Sequence, residues 1–133
     1  MLDLIMLPVD SKYLALKTFR KNGKSVITPV WFVVKDTNGL FIVTREKTGK
    51  VKRMRNNSQV DIVSSNFSGK PKGKWISGIS KEVDSQSVKE ILKLRDKKYG
   101  ILSKVIGIFS RSKGKYVVFF IAKNEQTENQ KAN

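Results

Sequence analysis

The residues with the most to offer chemically lie between Arg45 and Arg55, REKTGKVKRMR, where six Lys and Arg stand against the single acid Glu46. Thr48-Gly49 opens a short helical pattern here, and helix-start amides flanked by lysines make a ready phosphate site. In a helix, Lys50 and Arg53 share one face, while Lys52 and Arg55 turn away from it. The glycine spacing of a nucleotide-binding P-loop is missing ahead of Lys50. A solvated basic helix in a Lys-rich chain accounts for the same residues, and charge alone does not separate the two readings. A second group, Thr28-Pro29-Val30-Trp31, sets a proline and an indole in a β-branched run. Pro29 lacks an amide donor, so polar backbone beside it is left for a ligand, and Trp31 offers a flat surface. Plain barrel core with a proline at an edge is the simpler explanation of these residues. A third group, Ser68 to Lys74 followed by Trp75 (SGKPKGKW), suits either nucleic acid or an ordinary hairpin loop. Lys93 to Tyr99 (KLRDKKY) reads as a polar helix face.

Composition narrows the chemistry. The chain of 133 residues carries 27 Lys and Arg against 11 Asp and Glu, a net charge of +16, and has neither His nor Cys. Disulfides, thiolate nucleophiles, zinc ribbons, Ser-His-Asp triads and His-ligated haem are therefore excluded. Reactivity has to come from Lys, Arg, hydroxyls, carboxylates or a borrowed cofactor. No catalytic side chain and no metal site are singled out.

The elements that must position these residues are short strands parted by turns. Strands are expected at Tyr13–Arg20, Ser25–Val34, Leu40–Thr44, Val60–Ser65, Lys74–Val83 and Lys115–Ala122. Lys21-Asn22-Gly23-Lys24 supplies a hairpin turn and Asp36-Thr37-Asn38-Gly39 another. Thr48–Asn57 gives one or two helical turns. Asp84-Ser85-Gln86-Ser87 caps a helix carrying Val88, Ile91, Leu92 and Leu94, and Ile101–Phe109 is a further, apolar helical segment expected to pack on the barrel. Six strands with helices inserted before the last make a mainly β (α+β), six-stranded antiparallel barrel with peripheral helices. Residues 1–122 form one domain and 123–133 a polar, flexible tail. The start, MLDLIMLPVD, carries Asp3 and breaks at Pro8, unlike a targeting signal, and no run approaches the ~20 apolar residues of a membrane span. A soluble, cytoplasmic protein without membrane attachment is expected.

Three segments in this order, TFRKNGKSVITPVWFVV, TREKTGKVKRMRNN and the Gly73-Lys74-Trp75 at the start of the fifth strand, resemble the pyridoxamine 5'-phosphate oxidase-like, FMN-binding split β-barrel superfamily. Within it the pattern is most similar to deazaflavin (F420)-dependent oxidoreductases, and Lys98-Tyr99-Gly100 before an apolar helix fits the same group. The resemblance spans Asp10 to Ala122. It implies a split-barrel homodimer with F420 or FMN at the subunit interface and hydride transfer to a small organic acceptor. It further implies cofactor-binding roles for Thr28, Pro29, Val30 and Trp31 along the ring system, and for Thr48, Gly49 and Lys50, with Lys52 and Arg53 beside them, at the phosphate. Members that oxidise pyridoxamine phosphate carry a longer basic and aromatic C-terminal segment, unlike the polar NEQTENQKAN here, so that oxidation is not expected. Two alternatives stand beside this reading: a basic nucleic-acid-binding β-barrel, and a flavin or deazaflavin carrier without turnover.

Overall fold

The computed structural model describes residues 12–36 and 38–124; the expectations for the apolar start and for 125–133 of the tail lie outside the described residues. Six strands, β1 (Tyr13–Phe19), β2 (Ser25–Asp36), β3 (Gly39–Arg45), β4 (Gln59–Ser65), β5 (Ile76–Glu82) and β6 (Tyr116–Lys123), close into a barrel in the order β1-β2-β3-β6-β5-β4. Every neighbouring pair is antiparallel. Among the described residues three α-helices decorate it: α1 (Gly49–Asn56) between β3 and β4, then α2 (Ser85–Tyr99) and α3 (Ile101–Phe109) between β5 and β6. This is the expected six-stranded α+β barrel, with the last strand reaching one residue beyond Ala122.

The alternation of side chains along each strand explains the sequence pattern. Leu14 and Leu16, Val30 and Phe32, Leu40 and Ile42, Val60 and Ile62, and Val117, Phe119 and Ile121 fill the interior. Val51 and Met54 of α1 join this cluster, so the charged helix is anchored by its two buried apolar residues. On the outer face Val33, Val43 and Val118 pack under Ile91 of α2. Strand β6 is apolar on consecutive residues because both of its faces are covered.

The Asp84 carboxylate accepts from the Ser87 amide at 2.9 Å and starts α2 as its sequence predicts. Gly100, at φ +61, turns the chain from α2 into α3, a conformation that strains any residue with a Cβ.

Strand β2 changes partners halfway along. Val30 is its last residue opposite β1 and Trp31 its first opposite β3. Pro29 faces Ala15 alone, so the edge expected at the proline is present, while the irregularity in β2 falls later, between Val33 and Asp36. Past the end of β1, helix α2 takes over the vacant side. The Phe32 amide donates to the Tyr99 hydroxyl at 3.1 Å, and the Phe32 carbonyl accepts from Lys98 Nζ at 2.8 Å. The Tyr99 hydroxyl gives its proton to the Lys12 carbonyl at 2.5 Å. The expectation of a purely polar face over Lys93–Tyr99 is corrected here: Arg95 and Tyr99 follow Ile91 at four-residue steps, and all three are buried.

Helix α3 corrects a second expectation. Its apolar residues do not pack on the barrel: Ile101 is 79 % and Phe109 81 % exposed, and Leu102, Val105, Ile106 and Ile108 are exposed as well. The residues turned inward are small. Ser103 Oγ bonds Asp96 and the Gly100 carbonyl, and the Gly107 carbonyl accepts from Arg45. The run follows a helical period with its polarity inverted, small residues inside and large apolar ones outside. No helix among the described residues is long and apolar enough to cross a membrane.

Replacing Tyr99 by Phe leaves the buried Phe32 amide without a partner, which costs about 1–3 kcal/mol. Urea denaturation of Tyr99→Phe should show that loss in its midpoint; an unchanged midpoint would mean that β2 holds its course without this clamp.

Candidate functional site

A cleft of about 230 Å³ opens where β2, β3, α1 and the two later helices meet. One wall is apolar, made by Pro29, Val30, Trp31, Val43 and Ile106. The other carries Arg45, Lys50, Arg95 and Lys113, and among the described residues no Asp or Glu lines the cleft. An apolar, partly aromatic wall facing four cations suits a flat, apolar ligand with an anionic group.

Each of these side chains is held by a different element. Trp31 stacks on Tyr99, ring centroids 4.2 Å apart and planes 4° from parallel, so one indole face is already taken and only the other is left to a ligand. Arg45 ends β3 and is fully engaged: Nε donates to Ser110 Oγ at 2.9 Å, and Nη1 and Nη2 donate to the carbonyls of Gly114 and Gly107 at 3.0 and 2.8 Å. Its guanidinium also lies 3.5 Å from the centre of the Tyr116 ring, with Arg95 at 4.5 Å from the same centre. Arg95 is only 8 % exposed, and its ion pair is with the more open carboxylate of Asp96 at 2.8 Å.

Lys50 differs from both arginines. It is partly buried, and among the described residues it has no hydrogen bond and no ion pair. Burial, with the Arg53 charge nearby, lowers its ammonium below the ordinary lysine value. The Thr48 side chain beside it donates to the Arg45 carbonyl at 2.9 Å and does not cap α1, so the first amides of the helix keep no side-chain acceptor.

The residues singled out in the sequence are thus divided. Pro29, Val30, Trp31, Thr48 and Lys50 come together in this cleft. Thr28 does not line it, and its hydroxyl is buried without a partner. Gly49, Lys52 and Arg53 line a separate cleft of about 380 Å³ with Arg20, Lys21 and Asn56. Arg95, Tyr99, Tyr116 and Ser110 carried no signal as single residues. Continuing the Ile91 stripe at four-residue steps would have found Arg95 and Tyr99.

No protein-family model matches the chain, and no curated protein matches it. Solved structures do. The haem storage protein HutZ from Vibrio cholerae aligns with a TM-score of 0.65 at 15 % identity, over 92 % of this chain and 88 % of that one. A proposed pyridoxamine 5'-phosphate oxidase from Listeria innocua gives 0.57 at 15 % identity, over 93 % and 94 %. An FAD-binding protein from Mesorhizobium loti gives 0.58 at 20 % identity, over 92 % and 87 %.

Lys98, on the far side of the Tyr99–Trp31 stack, gives the region a measurable pH dependence. Burial lowers its ammonium from 10.5 to about 8. Between those values the unfolded chain binds more protons than the folded one, so stability rises as pH climbs from 8. Tyr99, raised by burial from 10 to about 12, acts in the opposite sense, but only above pH 10. From pH 8 to 10 the urea midpoint should therefore rise more steeply for the native protein than for Lys98→Met; parallel curves would place the Lys98 ammonium in bulk water.

Proposed function

Since the chain is built on the split β-barrel of the pyridoxamine 5'-phosphate oxidase-like, FMN-binding proteins, we propose that it is a cytoplasmic, homodimeric oxidoreductase. It binds a flavin-type cofactor in the Lys50–Trp31 cleft, F420 in preference to FMN, and serves hydride transfer to a small organic acceptor. The observation that carries this reading is the Lys50 ammonium, drawn into a cleft where the described residues offer it no acid and no partner, directly across from an apolar wall.

The residues fit such a group. Lys50 and the free amides at the start of α1 would hold its anionic part, a charge-assisted contact in a site shielded from water. Pro29, Val30 and the open face of Trp31 would bound the ring, while Tyr99 keeps the indole from turning. Hydride chemistry belongs to the ring itself, and the protein's part is to orient donor and acceptor and to exclude water. Lack of His in the chain, and of any acid among the described residues of the cleft, is compatible with that division of labour. Preference for F420 rests on the pattern TPVWF and TGKVKRMR.

The homodimer is supported by size and by surface. At about 230 Å³ the cleft falls below the ~300–1,000 Å³ of sites that enclose a drug-sized ligand. A further wall is needed, and Ile106, which lines the cleft, belongs to the helix whose apolar residues face outward. A second protomer seated on Ile101, Ile108 and Phe109 would cover that surface. A nucleic-acid reading is favoured by one observation, the 75 % exposed Phe67 on the loop that carries Lys70, Lys72 and Lys74.

Calorimetric titration with F420, FMN and a single-stranded oligonucleotide compares these readings. We expect F420 to bind, and Lys50→Ala to weaken it by about 1.5–3 kcal/mol. Affinity should fall on the alkaline side as Lys50 loses its proton, a slope absent from the variant. Binding of the oligonucleotide with neither cofactor bound would reverse the assignment.

A further inference from the structure

The second cleft, on the other side of α1, is independent of the flavin reading. It is lined by Arg20, Lys21, Gly49, Lys52, Arg53 and Asn56, four cations with no carboxylate among them. In a chain of net charge +16 a basic surface alone means little. Three features set this one apart.

One guanidinium is built in. Arg53 Nε donates at 2.6 Å to Thr18 Oγ1, on a residue only 1 % exposed, so the fork is fixed to the barrel wall. Its remaining N–H groups are left for something else. Position 49 is glycine where the fork passes: a Cβ there would stand 2.6 Å from Arg53 Nη1. Finally, the cations are sorted. On the same helix Arg55 is neutralised by Glu82 at 2.8 Å and Glu46 at 3.1 Å, whereas Arg20, Lys21 and Lys52 have no partner among the described residues. Burial and the Arg20 charge both lower Arg53 from its ordinary value, a repulsion that an anion between the two would relieve.

We propose that this cleft is a second anion site, which takes a diphosphate-type group, two linked phosphoryl units, between the fixed Arg53 fork and Arg20, Lys21 and Lys52. A single carboxylate would leave most of the charge unmet, and planar guanidinium forks match phosphoryl oxygens two at a time. At about 380 Å³ the cleft has room for such a group.

Titration with inorganic pyrophosphate and orthophosphate at physiological salt tests it, on the native protein and on Lys50→Ala. We expect pyrophosphate to bind at one site per chain, about tenfold more tightly than orthophosphate, with affinity retained in Lys50→Ala. Arg20→Gln and Lys52→Gln should each weaken it about tenfold. Gly49→Ala, which keeps every charge and shifts the fork, should weaken it while the protein stays folded by circular dichroism. Flavin affinity of Arg20→Gln should be unchanged, which separates failure here from failure of the flavin site. The proposal is overturned if pyrophosphate binds no better than orthophosphate, or if Lys50→Ala abolishes its binding. It is equally overturned if an oligonucleotide binds in its place with an affinity indifferent to Arg20 and Lys52.

Discussion

A strand that leaves one neighbour for another exposes backbone groups at the crossover, and the way this barrel meets that constraint organises the rest of it. β2 pairs with β1 through Val30 and with β3 from Trp31 onward. At Phe32 the amide and carbonyl that β1 no longer reaches are met by Tyr99 and Lys98. Buried backbone groups must be paired somewhere, so α2 is bound to end at this point of the sheet. Its docking stacks Tyr99 on Trp31, brings Arg95 against Tyr116 and turns the chain at Gly100 into α3. The apolar wall of the cleft follows from a hydrogen-bonding problem in one strand.

The opposite wall follows from how charge is distributed. Arg45, Arg55 and Arg95 are each matched by carbonyls or carboxylates, and they tie the ends of β3, α1 and α2 into place. The lysines facing the clefts are not matched. Exposed charges in excess cost little at physiological salt because they are screened within about 8 Å. Lys50 is only partly exposed and escapes some of that screening, which is why its proton is held less firmly. An acid in the cleft would have removed the penalty, and none is present among the described residues. That penalty is what an arriving anion would relieve.

Much of this was legible in the sequence because it rests on local rules. The Asn22-Gly23 turn, the Asp84 cap and the continuous apolar, β-branched and aromatic run of KYVVFFIA place the strands and α2 within a residue or two of where they lie. The pairing of a proline- and tryptophan-bearing strand with the lysines after β3 was legible too, for Pro29, Trp31 and Lys50 do meet. What was hidden depends on tertiary partners. Arg95 and Tyr99 look polar in KLRDKKY, and only the ring of Tyr116 and the backbone of Phe32 make them interior residues. Helix α3 misleads in the other direction, since Ser103 and Gly107 are inside to satisfy Asp96 and Arg45 while the isoleucines are left out. The split of α1 between two clefts is a further case: Lys50 and Arg53 share a helical face, yet the hydroxyl of Thr18 draws Arg53 to the other side.

The cleft's hold on an anion depends on the Lys50 ammonium group, whose state can be observed directly. Side-chain nitrogen-15 and carbon-13 resonances of Lys50, followed against pH in the free protein and again with saturating cofactor, report its proton without reference to turnover. A titration below the ordinary lysine value is expected when the cleft is free, moving upward once the anionic group is bound. An ordinary lysine titration in both states would contradict it.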